Sequence, residues 1–205
     1  ILKTIESAVK RRNVFIAGSA DRYDGAWDQA AAERFSYLLA KELVRNGYKV
    51  ISGFGRGVIS SSIINGALSE IYENKYKHME ECLSLRPFPQ NIDNPDDKRA
   101  SRTKYRQTIL EEAGVSVFLF GNKMADKDVI NATGCLEEFE ISKAMGKRII
   151  PVGSTGYAAK AIMDEIRGEL DSKYAYLKDD WDVLEKETDI DKLVGAVLRV
   201  IGREG

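Results

Sequence analysis

The stretch Val115-Ser-Val-Phe-Leu-Phe120 decides the fold, because it is the most apolar run of strand-forming residues in the chain. A strand without regular polar alternation is typically buried on both faces, as the central strand of a parallel sheet is. Outward from this run, shorter apolar runs alternate with segments of helical spacing. We therefore expect an α/β fold in which a parallel sheet is flanked by helices on both faces.

The other elements follow from apolar spacing and from the positions of glycine and proline. Strands are predicted at residues 14–17, 48–52, 83–86 and 148–152. Helices are predicted at residues 27–46, 58–76, 98–113, 134–145, 157–170 and 190–201, and a polar loop at residues 121–131. Ligands bind such sheets beyond the carboxyl ends of the strands, so each strand-to-helix junction is a candidate site.

The composition is that of an ordinary globular chain with balanced charge. Of the 205 residues, 43% are hydrophobic and 31% charged, with 31 Lys plus Arg against 32 Asp plus Glu. Nucleic-acid binders usually have a basic excess, so we expect no nucleic-acid partner, although residues 98–106 form a local basic patch. No apolar run approaches the ~18 residues of a membrane span, and no signal peptide is visible. We expect a cytoplasmic protein with no membrane partner.

Two residue types that often carry chemistry are interpreted as structural. Cys82 and Cys135 are expected to be free, buried or half-buried thiols in a reducing compartment, because neither has a metal-ligand spacing. The single histidine, His78, lies in a polar stretch and is expected at the surface. We therefore expect no metal site and no resident cofactor.

The beginning of the sequence suggests a preceding neighbour. Residue 1 is Ile rather than Met, and residues 2–11 have the spacing of a short amphipathic helix. We interpret residues 1–12 as a linker or helix from a missing N-terminal domain, and residues 13–205 as a domain of its own. A processed or disordered N-terminus is the alternative.

Glycines follow each of the first two strands. Gly18-Ser19 comes directly after the first strand, and Gly53-Phe54-Gly55-Arg56-Gly57 after the second. Glycine allows a sharp turn and a close approach of the backbone to a phosphate. Each pattern alone is weak, because an ordinary tight turn also explains it. Together they predict a ligand site formed by Gly18, Ser19, Ala20, Tyr23, Gly53, Phe54, Gly55 and Gly57.

Two later segments supply charged side chains. Arg102 and Arg106 share one helix face and are suited to bind phosphate, although a solvated basic helix is the simpler explanation of such a pair. Thr133-Gly134 opens a helix at the expected ligand edge, with Glu137 and Glu138 in its first turns. A carboxylate there complements the helix dipole. It could also hold a ribose diol, or stabilise a positive sugar carbon during N-glycosidic cleavage.

Taken in order, these segments resemble the SLOG superfamily, which includes LOG-type nucleotide phosphoribohydrolases and DprA-like proteins. In LOG-type enzymes a Gly-Ser turn ends the first strand, a glycine-rich loop follows the second, an Arg precedes the next central strand, and Pro-Gly-Gly-x-Gly-Thr-x-x-Glu follows it. Gly18-Ser19, the loop at 53–57, Arg106 and the segment from Thr133 to Glu138 take these positions within residues 13–152. The resemblance implies a Rossmann-like sheet of the SLOG type.

One departure from the LOG pattern bears on function. Where Pro-Gly-Gly would follow the central strand, this chain has Gly121-Asn122-Lys123 and an insert through Asn131. The Gly-Gly turn that binds phosphate in the enzymes is therefore absent, and Lys123 adds a cation. This favours a larger, doubly phosphorylated ligand over a nucleoside monophosphate, and a domain without catalytic residues.

Within the superfamily, the chain is similar to the sensor domains of the Thoeris antiviral NAD hydrolases, in which a sirtuin-like NAD⁺ hydrolase domain precedes the SLOG domain. The resemblance implies a regulatory domain that binds a cyclic ADP-ribose isomer made by a TIR-domain partner and activates the hydrolase allosterically in antiphage defence. It implies that Arg106 and Lys123 neutralise the pyrophosphate, that Glu138 holds a ribose hydroxyl pair, and that Tyr23 or Phe54 stacks on adenine. It also implies a homo-oligomer, a dimer paired through the SLOG domains.

Other functions remain open at this point. The first is a LOG-like nucleotide phosphoribohydrolase with Arg106 and Glu138 as catalytic residues, against which the absent Pro-Gly-Gly argues. The second is a DprA-like binder of single-stranded DNA, which the balanced charge disfavours. An NAD-dependent dehydrogenase is poorly supported, because no glycine fingerprint follows the first strand and no suitable acid follows the second.

Overall fold

Five parallel strands form the main sheet of the computed structural model, which describes residues 10–53, 57–76, 78–87 and 93–203. The strands are β1 (Asn13–Ser19), β2 (Lys49–Ser52), β3 (Leu83–Leu85), β4 (Val115–Phe120), β5 (Asn122–Ala125), β6 (Asp128–Asn131) and β7 (Arg148–Pro151). The main sheet has the order β3-β2-β1-β4-β7, and β5 and β6 form a separate antiparallel pair. The predicted parallel sheet is confirmed, with β4 buried along its whole length between β1 and β7.

Helices cover both faces of this sheet, as predicted. They are α1 (Gln29–Arg45), α2 (Val58–Glu73), α3 (Met79–Cys82), α4 (Pro95–Glu112), α5 (Thr133–Ala144), α6 (Tyr157–Ile166), α7 (Trp181–Lys186) and α8 (Ile190–Gly202). Helix α1 packs against α2 and α8, whereas α5 packs against α4 and α6. Among the residues described, no helix has the length and apolar character needed to cross a bilayer.

Helix α4 begins three residues earlier than predicted, because Pro95 starts it instead of belonging to the preceding loop. Proline fits the first position of a helix, where its missing N–H would have no partner in any case. The side chain of Asn94 caps this end by accepting from the N–H groups of Asp96 and Asp97. The earlier start adds nearly a full turn to the helix that carries Arg102 and Arg106.

The prediction of a polar loop at residues 121–131 is wrong, because most of that segment is a β-hairpin. Strands β5 and β6 pair from Asn122↔Asn131 to Ala125↔Asp128. The turn between them places Asp126 at φ 54°, in the left-handed region that tight hairpin turns require. Asp-Lys lacks the glycine that usually marks such a turn, and only a few apolar residues flank it, so the pattern was weak.

The segment between α6 and α8 holds structure that the apolar spacing did not predict. A 3₁₀ helix (Ala175–Asp180) leads into α7. The buried carboxylate of Asp180 accepts hydrogen bonds from Arg199 and Arg203, at 2.6 and 2.7 Å for their Nη2 atoms. Short helical turns held by side-chain contacts have too little periodicity to stand out in a sequence.

The strand order reverses between β1 and β4, and such a switch point opens a crevice at the carboxyl ends of the two strands. The strands approach closely there, since a Cβ on Gly18 would lie 2.9 Å from the Leu119 carbonyl oxygen. Phe120 ends β4 at φ 52°, a conformation that costs energy for a bulky residue and that often occurs beside functional sites.

Replacing Gly66 with Ala should destabilise the chain by roughly 1–3 kcal/mol, because overpacking against the backbone outweighs the better helix propensity of Ala. A Cβ at this position of α2 would lie 2.0 Å from the Tyr37 carbonyl oxygen of α1. Urea unfolding measures the change. Gly168→Ala is the matched control, because no heavy atom lies within 4 Å of its added Cβ. Equal stability of the two variants would show that α1 and α2 are not packed this closely.

Candidate functional site

A basic cleft opens between α4 and the first turns of α5. Its volume is about 680 Å³, which is within the usual range for small-molecule sites. The cleft is lined by Pro95, Lys98, Arg99, Arg102, Thr103, Arg106, Thr133, Gly134 and Glu137. The six positions on α4 recur at intervals of three and four residues, which places them on one helix face. That face carries four cations.

Arg106 reaches across this cleft to both glutamates predicted for the site. Its Nη1 lies 2.9 Å from the carboxylate of Glu137, and its Nε lies 3.3 Å from Oε1 of Glu138. The hydroxyl of Thr103 donates to the other Glu137 oxygen. The guanidinium is therefore held in one orientation by side chains of α5 and is only 14% exposed. Such a group binds a ligand without first losing side-chain freedom.

Gly134 allows the guanidinium of Arg106 to lie directly against α5. A Cβ on this residue would approach Nη2 of Arg106 to 2.7 Å, so any side chain at this position would displace the guanidinium. Glycine is required at this position because of the limited space, and not because of backbone conformation, since Ala would otherwise suit a helix. The sequence places this glycine at the helix start, but its contact with Arg106 was not foreseen.

The N-terminus of α5 opens at the same cleft. No side-chain hydrogen bond caps this end of α5 at its N-cap residue, Ala132. An uncapped helix N-terminus of this length presents backbone N–H groups and the positive end of the helix dipole. The ammonium of Lys123, on β5, lies 3.0 Å from the Thr133 hydroxyl. Lys123 and Arg106 therefore approach the start of α5 from different elements.

Glu138 is the most strongly perturbed carboxylate near the cleft. Burial raises the pKa of this carboxyl to about 7, while the adjacent charge of Arg106 opposes the rise. Near neutral pH the group can accept a hydrogen bond as a carboxylate or donate one as a carboxylic acid. Either form can bind a ribose hydroxyl, and the second can also act as a general acid.

The loop after β1 is tied to the hairpin by Asn122, a residue that sequence reasoning did not assign to the site. Its fully buried side chain accepts from the N–H groups of Asp21 and Arg22, each at 2.9 Å, and donates to the Arg22 carbonyl at 3.0 Å. The Ser19 hydroxyl donates to the Asn122 carbonyl at 3.1 Å. The loop after β1 and the hairpin are thus connected by hydrogen bonds to a buried side chain.

The structure separates the predicted site residues into groups. Arg102, Arg106, Thr133, Gly134 and Glu137 line the cleft, and Glu138 and Lys123 adjoin it through Arg106 and Thr133. Gly18, Ser19, Ala20 and Tyr23 belong to the end of β1 and its loop, and do not line this cleft. Their connection to it runs through Asn122, which binds the loop after β1 and belongs to the same strand as Lys123.

The glycine-rich loop after β2 is described only at its two ends. Gly53 follows β2 at the same edge of the sheet, and Gly57 precedes α2 at φ 143°, a conformation that favours glycine. Phe54 and Gly55 lie outside the described residues. The proposed stacking of Tyr23 or Phe54 on a base therefore stays a prediction.

Sequence reasoning missed Thr103 as a residue of the cleft and noted Lys98 and Arg99 only as part of a basic patch. Their signal was available in the spacing of the patch, because all three share the α4 face of Arg102 and Arg106. Lys104, from the same patch, is exposed and does not line the cleft. Asn122 had no comparable signal, because a single Asn in a polar segment is usually a turn residue.

The predicted burial of the two free cysteines and the predicted exposure of the histidine are confirmed. Cys82 is a half-buried and Cys135 a buried free thiol, and burial raises the pKa of both, which keeps them protonated and unreactive. The side chain of His78 is 64% exposed. Among the described residues, no group of three or more His, Cys, Asp or Glu side chains is arranged to hold a metal ion.

A comparison with known protein families gives a match over nearly the whole chain. The Sir2- and TIR-associating SLOG family, abbreviated STALD, matches residues 1–204. The chain belongs to the STALD family. The resemblance to SLOG proteins that the glycine, arginine and glutamate positions suggested is thereby confirmed.

Proteins named NAD(+) hydrolase ThsA are relatives of this STALD domain. The one from Bacillus cereus (strain MSX-D12) is 40% identical over 174 residues, which cover 85% of this chain and 35% of the relative. The one from Acinetobacter baumannii (strain 532279) is 34% identical over 85% of this chain and 37% of the relative. The one from Enterococcus faecium is also 34% identical, over 98% of this chain and 41% of the relative. The STALD domain thus spans well under half the length of these relatives.

The raised pKa of Glu138 predicts that the stability of this STALD domain depends on pH. Between about pH 4.5 and about pH 7 the folded chain retains a proton that the unfolded chain releases. The free energy of unfolding should therefore fall as the pH rises through this window, by at most roughly 1.4 kcal/mol per pH unit. Glu138→Gln should remove this contribution.

Urea unfolding of both proteins at about pH 5 and about pH 7.5 measures the difference, since the remaining carboxyl groups titrate in both. Glu140→Gln is the control, because Glu140 is an exposed glutamate on the same helix. If Glu138→Gln and Glu140→Gln changed the pH dependence equally, the carboxyl of Glu138 would not have a perturbed pKa.

Proposed function

We propose that this chain is a regulatory domain that binds a cyclic ADP-ribose isomer in the cleft between α4 and α5 without cleaving it. The observation that carries the proposal is the placement of Arg106, which is fixed between Glu137 and Glu138 in the wall of a basic cleft. Oriented cations bind a pyrophosphate, and a carboxylate can accept hydrogen bonds from a ribose diol. The cleft brings a cation and a carboxylate together, because Arg106 and Glu138 are in contact.

The charge of the cleft favours a ligand with two phosphates over one with a single phosphate. Four cations project from α4, and Lys123 approaches the start of α5 from the hairpin. In this proposal Arg106 and Lys123 bind the pyrophosphate together with the N–H groups at the start of α5. Glu138 holds a ribose hydroxyl pair, and the loop after β1 closes over the remainder of the ligand.

The hairpin offers a way for ligand binding to change the rest of the molecule. A ligand that draws Lys123 away from the Thr133 hydroxyl would pull on β5, and Asn122 at the base of β5 holds the loop after β1. Ligand affinity that differs between two positions of this unit would shift the population between them. In this proposal the hairpin and the loop after β1 form one unit, which transmits ligand binding from the cleft to the surface of the loop.

The proposal extends to a parent protein. The family is described as Sir2- and TIR-associating, and the relatives are named NAD(+) hydrolases. We propose that the ligand is made by a TIR-domain partner and that its binding activates a sirtuin-like NAD⁺ hydrolase domain of the same parent chain in antiphage defence. In this proposal SLOG domains pair into a homo-dimer, and the paired state transmits the signal.

Arg106→Ala should weaken the binding of a cyclic ADP-ribose isomer about tenfold to a hundredfold, because each charge-assisted hydrogen bond contributes roughly 1.5–3 kcal/mol. Glu138→Ala should weaken it in the same direction. Isothermal titration calorimetry with a panel of isomers measures both effects. Lys186→Ala is the control, because Lys186 is a 69% exposed cation on α7, outside the cleft.

Gly134→Ala separates the geometry of the site from its charge. The variant keeps every charged group and gains helix propensity, while the added Cβ displaces the Arg106 guanidinium, so its free energy of unfolding should fall less than that of Arg106→Ala. Weakened binding by a Gly134→Ala chain that remains folded would support the proposed role of Arg106. Wild-type affinity in both Gly134→Ala and Arg106→Ala would place the ligand elsewhere.

A LOG-like nucleotide phosphoribohydrolase is the second candidate, and the pKa of Glu138 favours it. A carboxyl with a pKa of about 7 is suited to donate a proton at neutral pH, as a general acid does. Against it stands the hairpin, which occupies the place of the Gly-Gly turn of the enzymes. We expect no free adenine when the chain is incubated with AMP and the products are separated by liquid chromatography. Adenine release that Glu138→Gln abolishes would establish the enzyme instead.

A further inference from the structure

A second basic pocket lies at the opposite edge of the sheet from the cleft. Gly114 directly precedes β4 and Arg148 begins β7, so this amino-edge pocket is at the amino ends of the strands. Its volume is about 480 Å³. The residues that line it are Lys10, Arg11, Ala113, Gly114, Met145, Gly146, Lys147, Arg148, Lys173, Tyr174 and Tyr176.

Five of these residues are cations, and none of the described residues that line the amino-edge pocket is acidic. One cation has a structural explanation. The Lys147 ammonium donates to the Ala113 carbonyl at 2.6 Å and so satisfies an acceptor at the end of α4. Among the described residues, no such hydrogen bond to a helix carbonyl explains the position of Arg148.

Arg148 is half-buried, at a cost that its contacts with the described residues do not offset. Its guanidinium lies 4.3 Å from the ring centroid of Tyr176. Within the described part of the chain, its buried Nε and Nη2 have no hydrogen-bond partner. Burial lowers the pKa of the guanidinium, and the nearby charges of Arg11 and Arg203 contribute in the same direction. Buried donors without a partner are rare in folded proteins and often indicate a group that binds there.

The aromatic rings of the pocket indicate what kind of molecule fits. The Tyr176 ring already faces Arg148, and its hydroxyl is fixed by the backbone N–H and carbonyl of Ile149, at 3.0 and 3.1 Å. Tyr174 is buried, and its ring packs against the edge of Tyr176. Neither ring is open for stacking on a base. The pocket therefore offers positive charge to a compact anion.

We propose that the amino-edge pocket binds a compact phosphate-bearing anion, such as a pyrophosphate or a sugar phosphate. Arg148 forms the centre of the site, and the exposed side chains of Arg11 and Lys173 bring cations from two other segments. A dianion there would join the segment before β1 to β7 and to the segment after α6. The site is separate from the cleft, and its occupation does not depend on a cyclic ADP-ribose ligand.

Titration of the full chain with pyrophosphate, followed by ¹H–¹⁵N NMR, tests this proposal. The amide signals of Gly114 and Gly146 report on the amino-edge pocket, and that of Gly134 reports on the cleft. We expect saturable shifts of Gly114 and Gly146 in the wild-type chain and also in Arg106→Ala. Arg148→Gln should weaken this binding about tenfold or more.

Lys173→Gln keeps the test valid if Arg148→Gln does not fold, because Lys173 is exposed and its replacement leaves the core unchanged. It should weaken binding severalfold, whereas Lys186→Gln, an equal loss of charge outside the pocket, should not. Equal weakening by both lysine variants would indicate unspecific attraction and overturn the proposal. Shifts confined to Gly134, or binding of hexaglutamate but not of pyrophosphate, would also overturn it.

Discussion

The candidate site depends on the contact between Arg106 and Glu138. A carboxyl as buried as Glu138 is tolerated only when it is protonated or has a cation beside it. Arg106 supplies that cation from α4 while Glu138 belongs to α5, so this contact joins the two walls of the cleft. Removing one partner of a buried pair typically costs roughly 3–5 kcal/mol. Any group that binds Arg106 therefore also acts on the packing of the two helices.

The hairpin leaves this arrangement intact because its two ends return to the same point. Asn122 and Asn131 are paired in register, and the Gly121 carbonyl accepts from the Ala132 N–H at 2.7 Å. The chain thus leaves the main sheet at Gly121 and returns to a point beside Gly121, directly before α5. The hairpin adds residues at the carboxyl edge of the sheet, and the helix that carries the glutamates begins directly after it. The hairpin brings a cation, Lys123, to the start of α5.

The parts of the fold that the sequence predicted are those fixed by burial on both faces. The run at β4 and the helical spacing of α1 and α5 leave little choice of structure. The hairpin and the turns near Asp180 were missed because single side-chain contacts hold them, and such contacts leave no periodic signal. The same division applies to the site. Arg106 and Glu138 were predicted from their positions in a known pattern, whereas Asn122 acts through buried hydrogen bonds that only the folded chain reveals.

The two basic regions of the domain differ in what surrounds their cations. At the carboxyl edge, Arg106 is held by two carboxylates beside the positive end of α5, so a phosphate there must compete with acids that also orient its partner. At the amino edge, α4 and α5 end, and their carbonyls attract cations such as Lys147. Arg148 goes beyond that requirement, since it lies half-buried over the Tyr176 ring, and two of its nitrogens have no hydrogen-bond partner among the described residues. The number of cations does not distinguish these regions, but the partners of each guanidinium do. A phosphate at the carboxyl edge would displace carboxylates from Arg106. An anion at the amino edge would bind nitrogens of Arg148 that have no hydrogen-bond partner among the described residues.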